Sequence, residues 1–233
     1  MTIMITGASR GLGKAIAIKF AENGYDLYLC SRNATALSQT QRELKEKFPA
    51  LRIEAKAADL ADREQARQAG QWVLDLGITP DVLVNNAGQF IPGSVSTEED
   101  GALETMIGTN LYSAYHLTRT LLPSMMAARK GHIFNMCSIA SFQAYPNGGA
   151  YSISKFALAG FSRNLREEMK PYGIKVTAVY PGAAYTDSWA GSGVDPQRIM
   201  EARDVAEMVY TASQLSPRAT VEDILLRPQL GDL

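Results

Sequence analysis

Little in this sequence points away from a reducing, aqueous setting. Only two cysteines, Cys30 and Cys137, occur among 233 residues. Two distant cysteines in a chain of this length read as reduced, buried thiols and not as a disulfide framework. No apolar run approaches the roughly 20 residues that span a bilayer, so no membrane partner is expected. No basic stretch leading into an apolar segment and cleavage site precedes "MTIMITG", and the cytoplasm is the default location. The net charge is -1, which removes any electrostatic case for nucleic acid. There are only two histidines, His116 and His132. No carboxylate or cysteine cluster stands at metal-ligand spacing with them, so no metal is expected. Internal repeats, low-complexity tracts and linkers are also missing.

What remains is a well-populated core. Hydrophobic residues make up 46% of the chain, enough for one sizeable α/β domain over residues 1–233. Short apolar runs at Thr2–Thr6, Asp26–Cys30, Arg52–Ala57, Val82–Asn85, His132–Met136, Lys175–Tyr180 and Ile224–Leu226 read as strands covered on both faces. Helical stretches fall between them, near Gly11–Asn23, Ala34–Phe48, Asp62–Leu76, Gly101–Arg129, Gly149–Pro171 and Ala202–Leu215. Strand and helix alternating in this way predicts a single Rossmann-type, doubly wound parallel sheet flanked by helices. One segment breaks the rhythm. Thr186–Ile199, "TDSWAGSGVDPQRI", leaves a strand end and holds two glycines and a proline. In a doubly wound sheet ligands sit beyond the carboxyl ends of the strands, so this segment reads as a lid over a substrate, against the alternative of an ordinary connection.

Two constellations carry chemistry. The first is "TGASRGLG" at Thr6–Gly13, between a predicted strand and a predicted helix. Glycines at 7, 11 and 13 permit a tight turn and close backbone approach, and the helix N-terminus aims its free N–H groups at a pyrophosphate. The spacing is G-x-x-x-G-x-G, and a purely structural turn is the competing reading. The second is Ser138 in "IFNMCSIAS", followed thirteen residues later by Tyr151 and then Lys155 in "YSISK". Tyrosine has a pKa near 10 and is a poor base at neutral pH. A cation one helical turn away, on the same face, favours its phenolate. Ser138, at a strand's carboxyl end, can hold a substrate oxygen. A Tyr–Lys pair alone is ordinary helix surface; Ser138 and the glycine turn make it a candidate for moving a proton onto or off an alcohol oxygen.

In these motifs, and in "NNAG" at Asn85–Gly88, Asn110 in "GTNLYSAYHLT" and "PGAAYT" at Pro181–Thr186, the chain resembles the short-chain dehydrogenase/reductase family. The motifs stand in the family's order over nearly the whole chain. The resemblance implies hydride transfer between a nicotinamide cofactor and a carbonyl or alcohol, with Asn110, Ser138, Tyr151 and Lys155 catalytic. It implies that Lys155 also binds the nicotinamide ribose and that Asn110 holds a water on the proton path, against a merely local hydrogen bond. It places Gly7, Ser9, Arg10, Gly11, Leu12 and Gly13 on the cofactor, lines it with Asn86, Ala87 and Gly88, and puts Asp59 and Leu60 at the adenine. Asp59 could equally cap the following helix. Pro181, Gly182, Ala184 and Thr186 would hold the nicotinamide carboxamide.

The second strand ends "LYLCSRN". Ser31 stands where family members using NAD tend to carry aspartate, and Arg32 follows, with Arg10 in the glycine turn as a second phosphate partner. Guanidinium binds phosphate through two donors, so NADP(H) is expected over NAD(H), unless both arginines are plain surface. Gln143, Tyr145, Tyr185 and Trp189 are the expected substrate walls, though Tyr145 and Trp189 could be packing residues. "TVEDILLRPQLGDL" and "PGAAYTDSWAG" are similar to segments of bacterial sepiapterin-reductase-like members, which points to a small ketone, diketone or pterin side chain. The chain is also similar to 3-oxoacyl-carrier-protein reductases, for which Arg129 with Lys130, or Arg163 with Arg166, would have to form a docking patch. A cofactor-binding sensor without turnover is the reading from a different class. The resemblance implies a homodimer or homotetramer built on the two long helices Gly101–Arg129 and Gly149–Pro171.

Overall fold

The computed structural model describes residues 1–186 and 193–232. Seven parallel strands form one sheet: β1 (Thr2–Thr6), β2 (Asp26–Ser31), β3 (Ile53–Ala57), β4 (Val82–Asn85), β5 (Gly131–Met136), β6 (Ile174–Pro181) and β9 (Asp223–Leu226). Their order is β3-β2-β1-β4-β5-β6-β9, so the winding reverses between β1 and β4. That reversal opens a crevice at the carboxyl ends of those two strands. The predicted doubly wound sheet is therefore present, with each strand within about a residue of its expected bounds.

Period-two alternation divides the core between two layers. Ile3 and Ile5 of β1 pack with Ile16, Phe20, Val205 and Val209 on one face. Met4, between them, packs with Tyr28, Leu83, Leu117 and Leu121 on the other. The first layer belongs to α1 (Gly11–Glu22) and α7 (Ala202–Ser213), and the second to α3 (Arg63–Asp75) and α5 (Ser113–Ala128). Helix α2 (Ala34–Lys47) lies beside β3, and α6 (Gly149–Met169) covers β6. Local capping sets where helices begin. The Asn33 side chain accepts from the Ala36 N–H at 3.0 Å. The Asp62 side chain accepts from the Gln65 N–H at 2.8 Å and caps α3.

One expected helix is not continuous. Gly101–Arg129 is divided into α4 (Ala102–Ile107), a π-helical turn at Gly108–Tyr112, and α5. A π turn takes up an extra residue and re-aims the backbone carbonyls around it, and such turns recur at functional sites. Asn110 sits in its middle. The ends of the expected lid are joined by a short parallel ladder, β7 (Ala184–Tyr185) with β8 (Met200–Glu201). The middle of that segment, with Trp189, lies outside the described residues.

Candidate active site

At the crevice the glycine turn and the "NNAG" segment are built into one another. Gly7 and Gly11 have φ of 62° and 55°, the left-handed region that favours glycine. A Cβ on Gly7 would stand 2.8 Å from Asn86 Nδ2. Asn86 Nδ2 donates to the carbonyls of Thr6 and Gly7 at 2.9 and 3.2 Å. The backbone N–H groups of Asn86 and Ala87 both donate to Thr6 Oγ1, at 2.9 and 2.8 Å. Asn86 thus supports the turn, and Gly88 is left exposed at the crevice. Helix α1 has no acidic residue in its first turn, so nothing offsets the positive end that would face a pyrophosphate.

The other expected cofactor residues are placed as follows. Ser9 and Ser31 hydroxyls meet at 2.9 Å. Arg10 is exposed, and Arg32 Nη1 lies 3.8 Å from Asp59 Oδ2, with 69% of the Arg32 side chain accessible. Asp59 does not cap α3, a task taken by Asp62; Asp59 Oδ1 instead accepts from the Ala61 N–H at 3.1 Å. Leu12 packs on the core beside α1, and Leu60 is buried among the α3 and α5 side chains. Any contact from Leu60 to a nucleotide would be through its backbone. Pro181 closes β6, the Gly182 N–H donates to the Leu226 carbonyl at 2.8 Å, and Ala184 is buried. The Thr186 side chain reaches back to the turn, 3.4 Å from where a Cβ on Gly11 would stand.

Ser138, Tyr151 and Lys155 converge beside it. Ser138 follows β5, and its Oγ accepts from the Ala140 N–H at 3.2 Å. Tyr151 and Lys155 lie one turn apart in α6, with Lys155 Nζ 5.7 Å from the Tyr151 ring centroid. Lys155 Nζ donates to the Met136 carbonyl at 2.7 Å and lies 3.6 Å from where a Cβ on Gly88 would stand. The lysine therefore joins the tyrosine to the cofactor-side backbone. Burial pulls its pKa down to about 8, with the Cys137 thiol acting in the opposite direction. Burial also raises the Tyr151 pKa, and the Ser138 hydroxyl pulls it back in part. Desolvation thus outweighs the Ser138 hydrogen bond, and at neutral pH Tyr151 carries its proton.

Asn110 is buried and fully engaged. Its Oδ1 accepts from the Gln89 N–H at 2.8 Å, and its Nδ2 donates to the Gln89 carbonyl at 3.1 Å and to Ser154 Oγ at 2.8 Å. Both side-chain N–H donors are therefore taken by protein groups, so Asn110 could hold a water only through an acceptor, its Oδ1 or a carbonyl of the π turn.

Of the expected walls, Tyr145 adjoins Tyr151, and its pKa is pushed up to about 12 by burial, with Tyr151 adding to the rise. Tyr185 borders a cavity of about 1020 Å³ shared with Met200, Leu226, Arg227 and Leu230. Gln143 Oε1 accepts from Arg227 Nη2 at 3.0 Å. Two neighbours escaped the sequence reading. Phe90 packs edge-on to the Tyr151 ring, centroids 4.9 Å apart, and is 53% exposed. Its signal was an aromatic residue two places after "NNAG". Arg227 follows the last strand, spans from Gln143 to Asp232 Oδ2 at 2.9 Å, and carries no motif.

Among the described residues no group of three or more His, Cys, Asp or Glu side chains could hold a metal. His132 Nε2 bonds Thr177 Oγ1 at 2.7 Å at the far end of β5.

Comparison with known proteins agrees with this fold. The short chain dehydrogenase family model matches residues 1–196. The sepiapterin reductase of Chlorobaculum tepidum is 32% identical over 241 residues, covering 99% of this chain and 97% of that protein. An alcohol dehydrogenase from the archaeon Thermococcus sibiricus, solved with 5-hydroxy-NADP, superposes with a TM-score of 0.91 at 27% identity, covering 100% of this chain and 98% of that one. The L-sorbose reductase of Gluconobacter frateurii, solved with NADPH and L-sorbose, gives 0.88 at 28% identity, with coverages of 96% and 94%. The chain belongs to the short chain dehydrogenase family of oxidoreductases.

Proposed function

We propose that this protein is an NADP(H)-dependent reductase of a small ketone, diketone or pterin side chain, acting within one domain in the cytoplasm. The observation that carries the reading is the convergence of buried Ser138 and Lys155 with half-buried Tyr151 beside the exposed Gly88. When bound, the nicotinamide cofactor supplies the hydride. The Gly7–Gly13 turn and the α1 N-terminus would hold its pyrophosphate. Gly88 and Lys155 would border its ribose, and Pro181, Gly182, Ala184 and Thr186 its carboxamide. Arg32 and Arg10, both exposed at the end of β2 and the glycine turn, would take a 2′-phosphate. NADP, NADPH or a derivative in the solved relatives supports that choice.

Ser138 would hold the carbonyl oxygen, and Tyr151, protonated at neutral pH, would deliver its proton to that oxygen as charge develops. Lys155 supplies a cation next to the tyrosine and a link to the Met136 carbonyl. Phe90, Tyr145 and Tyr185 give the pocket aromatic walls. The carrier-protein alternative finds less support. Lys130 pairs with Asp81 at 2.8 Å, and Arg129 donates to Pro171, both just before β5 and thus at the amino ends of the strands, away from the site. Arg166 is buried against Glu222 and Asp223. Exposed Tyr112, Ile153 and Phe156 on α5's leading turn and α6 support association into a homodimer or homotetramer.

The test is NADPH consumption with sepiapterin, diacetyl, an acetoacetyl thioester and an aromatic aldehyde, for wild type and Tyr151→Phe. Turnover by wild type and its loss in the variant, with NADPH binding kept, supports the reading. Undiminished turnover in Tyr151→Phe refutes the tyrosine's role. Silence of wild type across the panel with NADPH bound favours the sensor.

A further inference from the structure

Helix α6 carries Tyr151 in its first turn, yet it begins without a cap of its own. The first N–H groups of a helix have no partner inside it and need acceptors from outside. The N-cap position is Gly148, which makes no side-chain cap. The acceptor comes from a distant segment: Glu98 Oε2 accepts the Ala150 N–H at 3.1 Å. No ion pair engages Glu98 among the described residues, so its carboxylate is directed at the positive end of the helix.

The fit around this carboxylate is close. A Cβ on Gly149 would stand 2.5 Å from Glu98 Oε2 and 2.5 Å from the Gly93 carbonyl oxygen, and a Cβ on Gly93 would meet Glu98 Cβ at 2.9 Å. The Gly93 N–H donates to the Asn147 carbonyl at 3.1 Å. The Glu98 N–H is fixed in a turn by the Ser94 carbonyl at 2.8 Å. At the other end of this loop, Asn110 holds both backbone groups of Gln89, and the next residue, Phe90, packs edge-on against Tyr151. The segment from Gln89 to Glu98 thus touches the start of α6 at both its ends. One end meets the Tyr151 ring and the other the backbone immediately before it.

We propose that Glu98 is a positioning residue for Tyr151: its carboxylate oxygen caps the first turn of α6 and fixes where the phenol stands relative to Ser138. The inference rests on the reading of Tyr151 as the proton donor. Glu98 acts through the backbone of α6, whose Ala150 N–H it accepts, so its effect falls on the proton-transfer step. Loss of a helix cap costs on the order of a five- to tenfold change in an equilibrium. Small misplacement of an acid slows chemistry by a similar factor or more.

The experiment compares Glu98→Ala, Glu98→Gln and Gly149→Ala with wild type. The readouts are kcat with the panel carbonyl that wild type reduces fastest, NADPH Kd by fluorescence, and 19F spectra of 3-fluorotyrosine-labelled protein. The Tyr151 resonance is identified as the one missing in Tyr151→Phe. Glu98→Ala should lower kcat about five- to tenfold, leave NADPH Kd unchanged and shift or broaden the Tyr151 resonance. Glu98→Gln, which keeps an acceptor oxygen, should restore kcat and resonance. Gly149→Ala, which drives a methyl into the carboxylate, should reproduce the loss even if Glu98→Ala does not fold, although alanine is the better helix former. Wild-type kcat with an unmoved Tyr151 resonance in Glu98→Ala and Gly149→Ala overturns the proposal, as does a loss in Glu98→Gln equal to that in Glu98→Ala. If Tyr151→Phe proves fully active, the catalytic reading fails, and the 19F comparison still decides whether Glu98 positions the ring.

Discussion

Replacing Asn110 by alanine tests how the π turn is tied to the site. The side chain is 1% exposed and makes three hydrogen bonds, two to Gln89 backbone groups and one to Ser154 Oγ. Each such bond contributes about 1 kcal/mol net. Gln89 is only partly buried, so water can replace part of what is lost there, whereas Ser154 is 0% exposed. The expected cost is about 2–4 kcal/mol. For a protein of this size each kcal/mol lowers Tm by about 2–4 °C, which gives a fall of roughly 4–16 °C. Thermal unfolding followed by circular dichroism measures it. Ser154→Ala removes one of the three bonds, and in the double variant the two losses should fall short of additivity by about 0.5–1.5 kcal/mol. Turnover should fall as well, because freeing Gln89 loosens Phe90 from Tyr151. An Asn110→Ala protein melting within 2 °C of wild type, at roughly the noise of such a comparison, would show that these bonds do not hold the loop.

Three further outcomes follow from charges. Lys155 keeps its proton below its pKa of about 8, so carbonyl reduction should be flat below that pH and decline above it as the cation is lost. A rate constant unchanged to pH 10, roughly the free tyrosine value, would refute this role. Arg32→Ala should raise KM for NADPH by about 10- to 100-fold, the worth of charged hydrogen bonds, and leave KM for NADH nearly unchanged; equal changes would remove the 2′-phosphate argument. His132 is buried and its pKa is depressed to about 3. The unfolded chain therefore takes up a proton below about pH 6.5 that the folded chain refuses. Stability should fall by up to about 1.4 kcal/mol per pH unit as pH drops from there toward 3. His132→Gln should flatten that slope in urea titrations, and unchanged slopes would contradict the assignment.

The sheet was legible because its strands are short apolar runs punctuated by turn residues, and parallel strands buried on both faces read that way wherever they occur. The convergence of Ser138, Tyr151 and Lys155, the candidate trio, was legible because Tyr151 and Lys155 share one helix and Ser138 stands at a strand end. The π turn at Gly108–Tyr112 was not legible. "GTNLY" contains no proline, its one glycine is tolerated within a helix, and the extra residue is absorbed in response to tertiary demands on Asn110. The role of Asp59 was open for a related reason: Asp59 and Asp62 both precede the helix, and only the folded turn shows which carboxylate caps it. Phe90 and Arg227 were missed because their partners lie far off in sequence, and neither position has a pattern that marks a binding wall.

Buried polar groups explain why the trio holds its relative placement. Asn85 of β4 donates to Asn135 Oδ1 of β5 at 2.8 Å and to Thr118 Oγ1 of α5 at 2.9 Å. Asn135 Nδ2 donates to Ser162 Oγ of α6 at 2.9 Å, and Lys155 of α6 donates to the last carbonyl of β5. An apolar interface between α6 and β5 would tolerate a sliding helix with little change in energy. An interface threaded by directed bonds penalises each displacement with an unpaired buried group, at about 1–3 kcal/mol. Ser138 is carried by the end of β5, and Tyr151 and Lys155 by α6. The bonds that fix α6 on β5 therefore also fix the separation between the Ser138 hydroxyl and the Tyr151 phenol, the two groups proposed to hold and protonate a carbonyl oxygen.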